Sequence, residues 1–330
     1  MDLQYPRRIS LAQTPTPLQY LERASERWGS GHRLWVKRDD MTGCTLSGNK
    51  VRKLEFITAH ALDNGYDTLI TCGGLQSNHC RATAFAGAQV GLAVHLLLRG
   101  EAPPDPEGNL LLDKLAGASI NMYPKQQYVA EIEALFIHWE QHYATLGRKA
   151  LMVPTGGSDG IGAWGYIAAC EELVRDFSDH GIPQAHIVTA SGSGGTQAGL
   201  TLGAVLHELP ATVWGINVCD DEQYFLDKVA ADALDWRERY PDVPEADIQA
   251  HVIDGYVGQG YGIASDEVFG LIAELAALEG LVLDPVYTGK AFSGLLAEIA
   301  AGRFAGIRDI VFVHTGGIFG LFPQRDGLRL

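Results

Sequence analysis

The sequence has little positive charge for its length. It contains 25 Lys and Arg residues against 40 Asp and Glu residues, which gives a formal net charge of −15. A protein that binds nucleic acid needs a concentrated cationic surface to neutralise phosphates. We therefore expect no nucleic-acid partner and favour a small-molecule ligand.

Cysteines and long apolar runs are also scarce. The five cysteines are odd in number and show neither CxxC pairs nor a spacing interleaved with histidine, so we expect reduced thiols and no metal. No segment approaches the ~20 apolar residues that cross a membrane, and the N-terminus lacks the apolar core of a secretion signal. These absences predict a cytoplasmic protein without a membrane partner.

The apolar residues that are present alternate between two patterns. Short apolar segments such as TLITCGG and IVFVHTGG are separated by helical patterns, of which the first starts at Val51. This alternation predicts βαβ units and parallel sheets. The 330 residues suffice for two compact domains, and two such series meet near residue 160.

A glycine-rich segment, ASGSGGTQAGL at 190–200, follows an apolar run and opens a predicted helix. Glycines let the backbone approach an oxyanion, and the N–H groups of a helix start point at it. Gln197 replaces the third glycine of a dinucleotide fingerprint, and there is no GK[ST] of a nucleotide P-loop. The segment predicts a site for a smaller phosphate compound, although a tight strand-to-helix turn also explains it.

The segment LSGNKVRKLEF at 46–56 places Lys50 and Lys53 one helical turn apart at a predicted helix start. Cations there oppose the helix dipole, which suggests a nearby anion or an amine that is held neutral for Schiff-base chemistry. A solvated basic helix start explains the residues equally well.

Other hydroxyl-bearing residues follow apolar runs at turns. Ser77 and Asn78 lie at a predicted helix cap suited to a carboxylate, although a cap alone also explains them. Tyr287 and Thr288 in LDPVYTGK, and Thr315 in VFVHTGGIFGLF, lie where strands of open α/β sheets end and bind ligands. We expect these side chains to converge.

Together the motifs resemble the D-cysteine desulfhydrase and 1-aminocyclopropane-1-carboxylate (ACC) deaminase family of pyridoxal-phosphate (PLP) enzymes. The resemblance runs from TPTPL at 14–18, through the segments above and GYG at 260–262, to HTGGIFGLF, and is greatest to the plant-type desulfhydrases. It implies the tryptophan-synthase β-like fold (PLP fold type II), with two open, twisted, mainly parallel α/β domains and PLP in the cleft between them. The implied domains are a large one from 1–48 and 162–330 and a small one from 49–161, in a homodimer.

The same resemblance implies a role for each matching residue. Lys50 is the Schiff-base lysine, Lys53 a phosphate partner, and Asn78 a contact of the cofactor's 3-hydroxyl group. The remaining cofactor residues are the phosphate loop Ser193, Gly194, Gly195 and Thr196, with Thr288 and Thr315 near the ring nitrogen. The substrate wall comprises Gln76, Ser77, Tyr261 and Tyr287, of which the last three are expected to act with Lys50 in catalysis.

Thr288 and Thr315 decide the expected reaction, because ACC deaminases have Glu and Leu at the matching positions. A carboxylate beside the ring nitrogen favours its protonated form and a stronger electron sink, whereas a hydroxyl does not. A weaker sink suffices when a thiolate leaves from Cβ. We therefore predict β-elimination of D-cysteine, or a close β-substituted amino acid, to pyruvate, hydrogen sulfide and ammonia. The alternatives are ACC deamination, L-cysteate desulfonation, for which the sequence offers no evident cation near Cβ, and a catalytically silent PLP-binding homologue.

Overall fold

The computed structural model describes residues 3–329, which form two β-sheets covered by helices. The strands are β1 (Leu18–Tyr20), β2 (Arg33–Lys37), β3 (Thr68–Gly74), β4 (Ala93–Arg99), β5 (Ser119–Tyr123), β6 (Ala150–Met152), β7 (Ala185–Ser191), β8 (Ala211–Asn217), β9 (His251–Ile253) and β10 (Asp309–Val313). One sheet has the order β1-β2-β10-β7-β8-β9 and the other β5-β4-β3-β6. Apart from the antiparallel β1–β2 pair, the paired strands are parallel.

The helices alternate with the strands along the chain, as the sequence pattern predicts. They are α1 (Glu22–Trp28), α2 (Asn49–Asp63), α3 (Asn78–Val90), α4 (Gly108–Leu115), α5 (Lys125–Thr145), α6 (Trp164–His180), α7 (Gly195–Leu206), α8 (Glu222–Arg239), α9 (Asp266–Glu279) and α10 (Thr288–Ala300). Within residues 3–329, none of them is both long and apolar enough to cross a membrane.

The central strand β10 shows how the larger sheet is buried. Ile310 and Phe312 pack on one face in a cluster with α9 and α10, whereas Val311 and Val313 pack on the other with α6 and α7. Successive strand residues point to opposite faces, so a strand covered on both sides must be apolar throughout. The residues that follow Val313 leave the sheet at its carboxyl edge.

Helix α2 begins beside that edge. The amide of Asn49 donates to the carbonyl of Thr315 over 3.1 Å, and a Cβ added at Gly48 would lie 2.7 Å from the same carbonyl oxygen. Gly48 has φ +89°, a conformation that favours glycine. The GNK sequence therefore brings the start of α2 against the loop after β10.

Buried ionic groups join α2 to the chain segments around the larger sheet. The Arg52 guanidinium donates to Asp39 over 2.8 Å and to Glu172 over 2.7 Å, and it is 3% exposed. Tyr166 also donates to Asp39. Burial opposes the charge of Asp39, but the adjacent Arg52 outweighs it and holds the pKa of Asp39 below its usual value.

The four strands of the smaller sheet all lie between residues 68 and 152. Strands on both sides of this interval in the sequence form the larger sheet. The predicted boundaries, 49–161 for one domain and 1–48 with 162–330 for the other, stay a proposal, because strand pairing does not fix where α2 and the connecting turns belong.

Candidate active site

A cleft of about 540 Å³ lies where the carboxyl ends of strands from both sheets meet. Most of the predicted site residues line it: Lys50, Ser77, Asn78, Ser193, Gly194, Thr196, Tyr261, Tyr287 and Thr315. The loops that follow parallel strands share one edge of a sheet, so residues distant in sequence converge there.

Lys50 lies in the first turn of α2, and its Nζ is 3.1 Å from Asn49 Oδ1. Burial lowers the pKa of Lys50 to about 8; Asp284 opposes this change and Arg81 adds to it. A lower pKa increases the neutral fraction of the amine, which is the nucleophilic form.

The glycine-rich segment forms a cradle between β7 and α7. The helix starts at Gly195, two residues before the predicted start at Gln197, because Gly194 takes φ +76° and turns the chain early. Thr196 accepts a hydrogen bond from Asn49 Nδ2 over 2.9 Å. The first-turn N–H groups of α7 have no partner within the helix, so they suit an anion.

Lys53 lies directly behind this cradle. Its Nζ donates to the carbonyl of Gly156 and to Ser158 Oγ, each over 3.2 Å, and a Cβ added at Gly195 would lie 2.7 Å from it. Burial, together with the charge of Lys50, lowers the pKa of Lys53 well below its usual value. A bound dianion would offset both effects, which makes this a good phosphate site.

The opposite wall carries hydroxyl groups. Ser77 caps α3 by accepting from the Cys80 amide over 3.2 Å, and it also lines the cleft. The hydroxyls of Tyr261 and Tyr287 are hydrogen bonded to each other. Burial raises the pKa of both tyrosines, so both hydroxyl groups keep their protons at neutral pH.

Gln76 is one of the predicted residues that does not line the cleft. Its side-chain amide donates to the Glu107 carbonyl over 3.0 Å and accepts from the Asn109 amide over 2.9 Å. These bonds fix the start of α4 and direct the side chain away from the predicted substrate wall. The expectation that the Gln76 side chain forms this wall is therefore not met in this structure.

Thr288 also lies outside the cleft, behind Tyr287. Its hydroxyl donates to Asp284 Oδ1 over 2.7 Å and accepts from the Asp284 amide over 2.8 Å. A hydroxyl has one proton to donate. To donate to a ring nitrogen, the Thr288 hydroxyl would have to break its hydrogen bond to Asp284. Thr315, in contrast, lines the cleft.

Asp284 is a functional neighbour that the sequence reading missed. Its carboxylate accepts from the amides of Val286, Tyr287 and Thr288, each over 2.9 Å, and from the Thr288 hydroxyl. An aspartate that accepts from the amide two residues further along the chain forms an Asx turn, a local pattern that the sequence can indicate. Because all these donors belong to the chain itself, this carboxylate is committed to holding the Tyr287 turn.

Further cleft residues were not anticipated. They include Arg99, Tyr128, Thr155, Gly156, Ser158, Asp220 and Lys228. The sequence could have indicated Arg99 as a cleft residue, because it ends an apolar strand at the same sheet edge. Among the cleft-lining residues of the described chain, Asp220 is the only one with a carboxylate.

Comparisons with known proteins cover nearly the whole chain. The family described as pyridoxal-phosphate dependent enzyme matches residues 9–316. The chain is 41% identical to the mitochondrial bifunctional D-cysteine desulfhydrase/1-aminocyclopropane-1-carboxylate deaminase of Arabidopsis thaliana, over 96% of this chain and 80% of that protein. It is 38% identical to a D-cysteine desulfhydrase of Klebsiella pneumoniae, over 97% of both chains. A crystal structure described as an ACC deaminase homologue superposes with a TM-score of 0.85 at 34% identity, over 97% of this chain and 94% of that chain.

Proposed function

Because the chain belongs to the pyridoxal-phosphate dependent enzymes and has their tryptophan-synthase β-like fold, we propose that it catalyses β-elimination of D-cysteine to pyruvate, hydrogen sulfide and ammonia. Relatives named for D-cysteine desulfhydrase and for ACC deaminase support a lyase that acts on a small amino acid. The choice of D-cysteine and the roles of individual residues rest on the physical arguments below.

The residues present fit PLP. The amine of Lys50 lies in the cleft, and the cradle at residues 193–196 backed by Lys53 suits the phosphate. Asn78 and Thr315 line the cleft, where we propose that they contact the 3-hydroxyl group and the ring nitrogen. PLP supplies an aldehyde for the substrate amino group and a ring that withdraws electrons from Cα.

We propose that Lys50 holds the cofactor until substrate arrives and then accepts the Cα proton. Its burial favours the neutral amine that this step requires. The N-terminus of α3, with Ser77 as its cap, would bind the substrate carboxylate. Ser77 and Tyr287 are both candidates to protonate the departing sulfur, and Tyr261 positions Tyr287 through the hydrogen bond between their hydroxyls.

The observation that favours β-elimination over ACC deamination is that Thr315, the residue proposed to contact the ring nitrogen, has a hydroxyl group and not a carboxylate. The Asp284 carboxylate accepts hydrogen bonds from residues 286–288, and Asp284 is not among the described residues that line the cleft. Beside a hydroxyl the ring nitrogen is less readily protonated than beside a carboxylate, so the ring is a weaker electron sink. A weaker electron sink suffices when the negative charge at Cα is relieved by expelling a thiolate. A substrate without such a leaving group needs a stronger electron sink.

The function is tested by measuring keto-acid release from D-cysteine, L-cysteine, β-chloro-D-alanine, L-cysteate, D-serine and ACC. We expect pyruvate from D-cysteine and β-chloro-D-alanine at the highest rates. Faster α-ketobutyrate formation from ACC, or faster pyruvate formation from L-cysteate, would replace the proposed substrate. A protein that binds PLP noncovalently and releases no keto acid would be a silent homologue.

The reaction of the apoenzyme with PLP should depend on pH. The attacking amine must be neutral, so the loading rate should rise as pH increases and should level off above about 8, where Lys50 loses its proton. Stopped-flow absorbance of PLP binding measures this rate without any turnover. A rate that keeps rising to the ordinary lysine pKa would contradict a depressed value in the folded protein.

Ser77→Ala should reduce turnover of D-cysteine by roughly 100-fold, the lower range for loss of an acid or base group. Loss of the helix cap should also cost about 0.5–2 kcal/mol of stability. Ser265→Ala is the matched control, because Ser265 caps α9 by accepting from the Val268 amide but does not line the cleft. Equal turnover in the two variants, measured at matched PLP occupancy, would leave Ser77 with a capping role alone.

The expected homodimer stays a proposal. Light scattering of the PLP-loaded protein measures its mass directly, and the mass of a monomer would contradict the proposed homodimer.

A further inference from the structure

Arg99 is a cation in the cleft without a polar partner. It ends β4 and lines the cleft, yet its guanidinium makes no hydrogen bond or ion pair with any residue in the described range 3–329. Its close neighbours are aromatic rings, with the Tyr261 centroid 5.3 Å and the Tyr128 centroid 5.8 Å from Arg99 Cζ. An arginine has five N–H donors, so stacking on rings leaves its hydrogen-bonding capacity unused.

The two lysines beside the phosphate cradle, Lys53 and Lys228, already have polar partners. Lys53 donates to Gly156 and Ser158, and Lys228 donates to the Ser158 carbonyl over 3.1 Å and pairs with Asp232. Both also adjoin the phosphate cradle, since a Cβ added at Gly194 would lie 2.8 Å from Lys228 Cγ. The cradle therefore has its own positive charge and does not need Arg99.

Arg99 lies on the tyrosine side of the cleft. Gly74 is its neighbour in the parallel β3–β4 register, and a Cβ added at Gly74 would be 4.0 Å from both Arg99 Nη2 and Tyr261 Cε1. The Gly74 backbone therefore lies beside both the guanidinium and the Tyr261 ring. Tyr261 in turn is hydrogen bonded to Tyr287, one of the two proposed proton donors to the leaving group.

We propose that Arg99 determines specificity by binding negative charge on the β-substituent of the substrate. This inference rests on the proposed lyase function and deepens it. The α-carboxylate already has the N-terminus of α3, so the unpaired guanidinium is available for a second anion. The substrate class is then amino acids whose β-substituent carries negative charge or departs with it, such as a thiol or a sulfonate.

The bond changes explain why a cation there matters. The Cα proton moves to Lys50, the Cα–H electron pair forms the Cα–Cβ double bond, and the Cβ–S bond breaks with both electrons remaining on sulfur. The sulfur takes a proton from the proposed acid and leaves as hydrogen sulfide. Cβ of the released 2-aminoacrylate then takes a proton, which gives the imine of pyruvate, and water hydrolyses this imine to pyruvate and ammonia. A thiolate is a poor leaving group compared with chloride, so a positive charge beside sulfur lowers the barrier more for D-cysteine than for β-chloro-D-alanine.

A binding experiment tests the proposal without turnover. D-aspartate places a carboxylate at the β position and D-alanine does not, so their dissociation constants for the holoenzyme are compared through the change in visible absorbance. We expect the preference for D-aspartate over D-alanine to fall about 10- to 100-fold in Arg99→Gln, the range for a lost charged hydrogen bond. Arg99→Lys should retain part of the preference, because it keeps the charge but loses the planar fork.

Two outcomes overturn the proposal. If both amino acids lose affinity equally, Arg99 binds the α-carboxylate; if neither changes, Arg99 only stacks on the tyrosines. Measuring turnover distinguishes a failure of the Arg99 proposal from a failure of the proposed lyase function. The wild type should release pyruvate from both D-cysteine and β-chloro-D-alanine. Arg99→Gln should lower kcat/KM roughly 100-fold for D-cysteine and by a smaller factor for β-chloro-D-alanine. A wild type inactive with both substrates would instead refute the lyase assignment.

Discussion

Replacing Lys50 with alanine is expected to abolish turnover and the absorbance of lysine-bound PLP together. Lys50 is the lysine whose amine enters the cleft while its burial lowers the pKa to about 8. Its proposed duties are to hold PLP covalently and to accept the Cα proton. Loss of a general base alone reduces rates by about 10²–10⁴-fold, and loss of the covalent link adds to that.

Lys53→Ala is the matched control, because it removes a second buried lysine one turn further along α2. Its amine lies against Gly195 behind the phosphate cradle, where it should hold PLP without joining the bond-breaking steps. We expect this variant to lose PLP on dialysis and to recover activity when PLP is added in excess. Lys50→Ala should not recover. Appreciable activity with an intact lysine-bound spectrum in Lys50→Ala would refute the assignment.

Arg52→Met is expected to lower the free energy of unfolding by about 3–5 kcal/mol, the usual loss when one partner of a buried ion pair is removed. The substitution leaves the buried carboxylates of Asp39 and Glu172 without the guanidinium that now binds both. Methionine fills much of the volume, so the effect reports mainly the loss of the charge partner of Asp39, since Lys37 still pairs with Glu172 over 3.2 Å. The urea midpoint of the PLP-loaded protein measures it, provided the slope of the transition is unchanged.

Arg148→Met provides the control for this measurement. Arg148 also pairs with an aspartate, Asp67, over 3.2 Å, but both side chains are substantially exposed. Exposed ion pairs contribute about 0–1 kcal/mol, so this variant should unfold near the wild-type midpoint. Similar midpoints for both variants would mean that water or a rearranged neighbour compensates Asp39 and Glu172.

Local sequence patterns predicted the turns well, because each depends on nearby residues. The glycines before α7 and the serine before α3 determine local backbone conformations and caps, and both lie in the cleft as expected. The apolar spacing along α2 was also informative, since Val51, Leu54 and Ile57 are buried.

Helix α2 also shows what hydrophobic periodicity does not predict. Arg52, Lys53 and Glu55 are buried as well, so α2 is enclosed nearly all round and not only on an apolar face. Hydrophobic periodicity detects apolar contacts and has no signal for a charged side chain that is buried with its partner. The partners of Arg52 are more than ten residues away in sequence, at Asp39 and Glu172.

The sequence by itself determined the alternation of strands and helices and the glycine-rich turn before α7, because each depends on contiguous residues. The role of Lys50 came from the resemblance of the whole set of motifs and stays a proposal. Tertiary structure decided which side chains face the cleft. Gln76 turned toward α4, Thr288 bonded to Asp284, and Arg99 was left unpaired beside Tyr261. These outcomes depend on hydrogen-bond partners and open space brought together by strand pairing and packing, which no local pattern specifies.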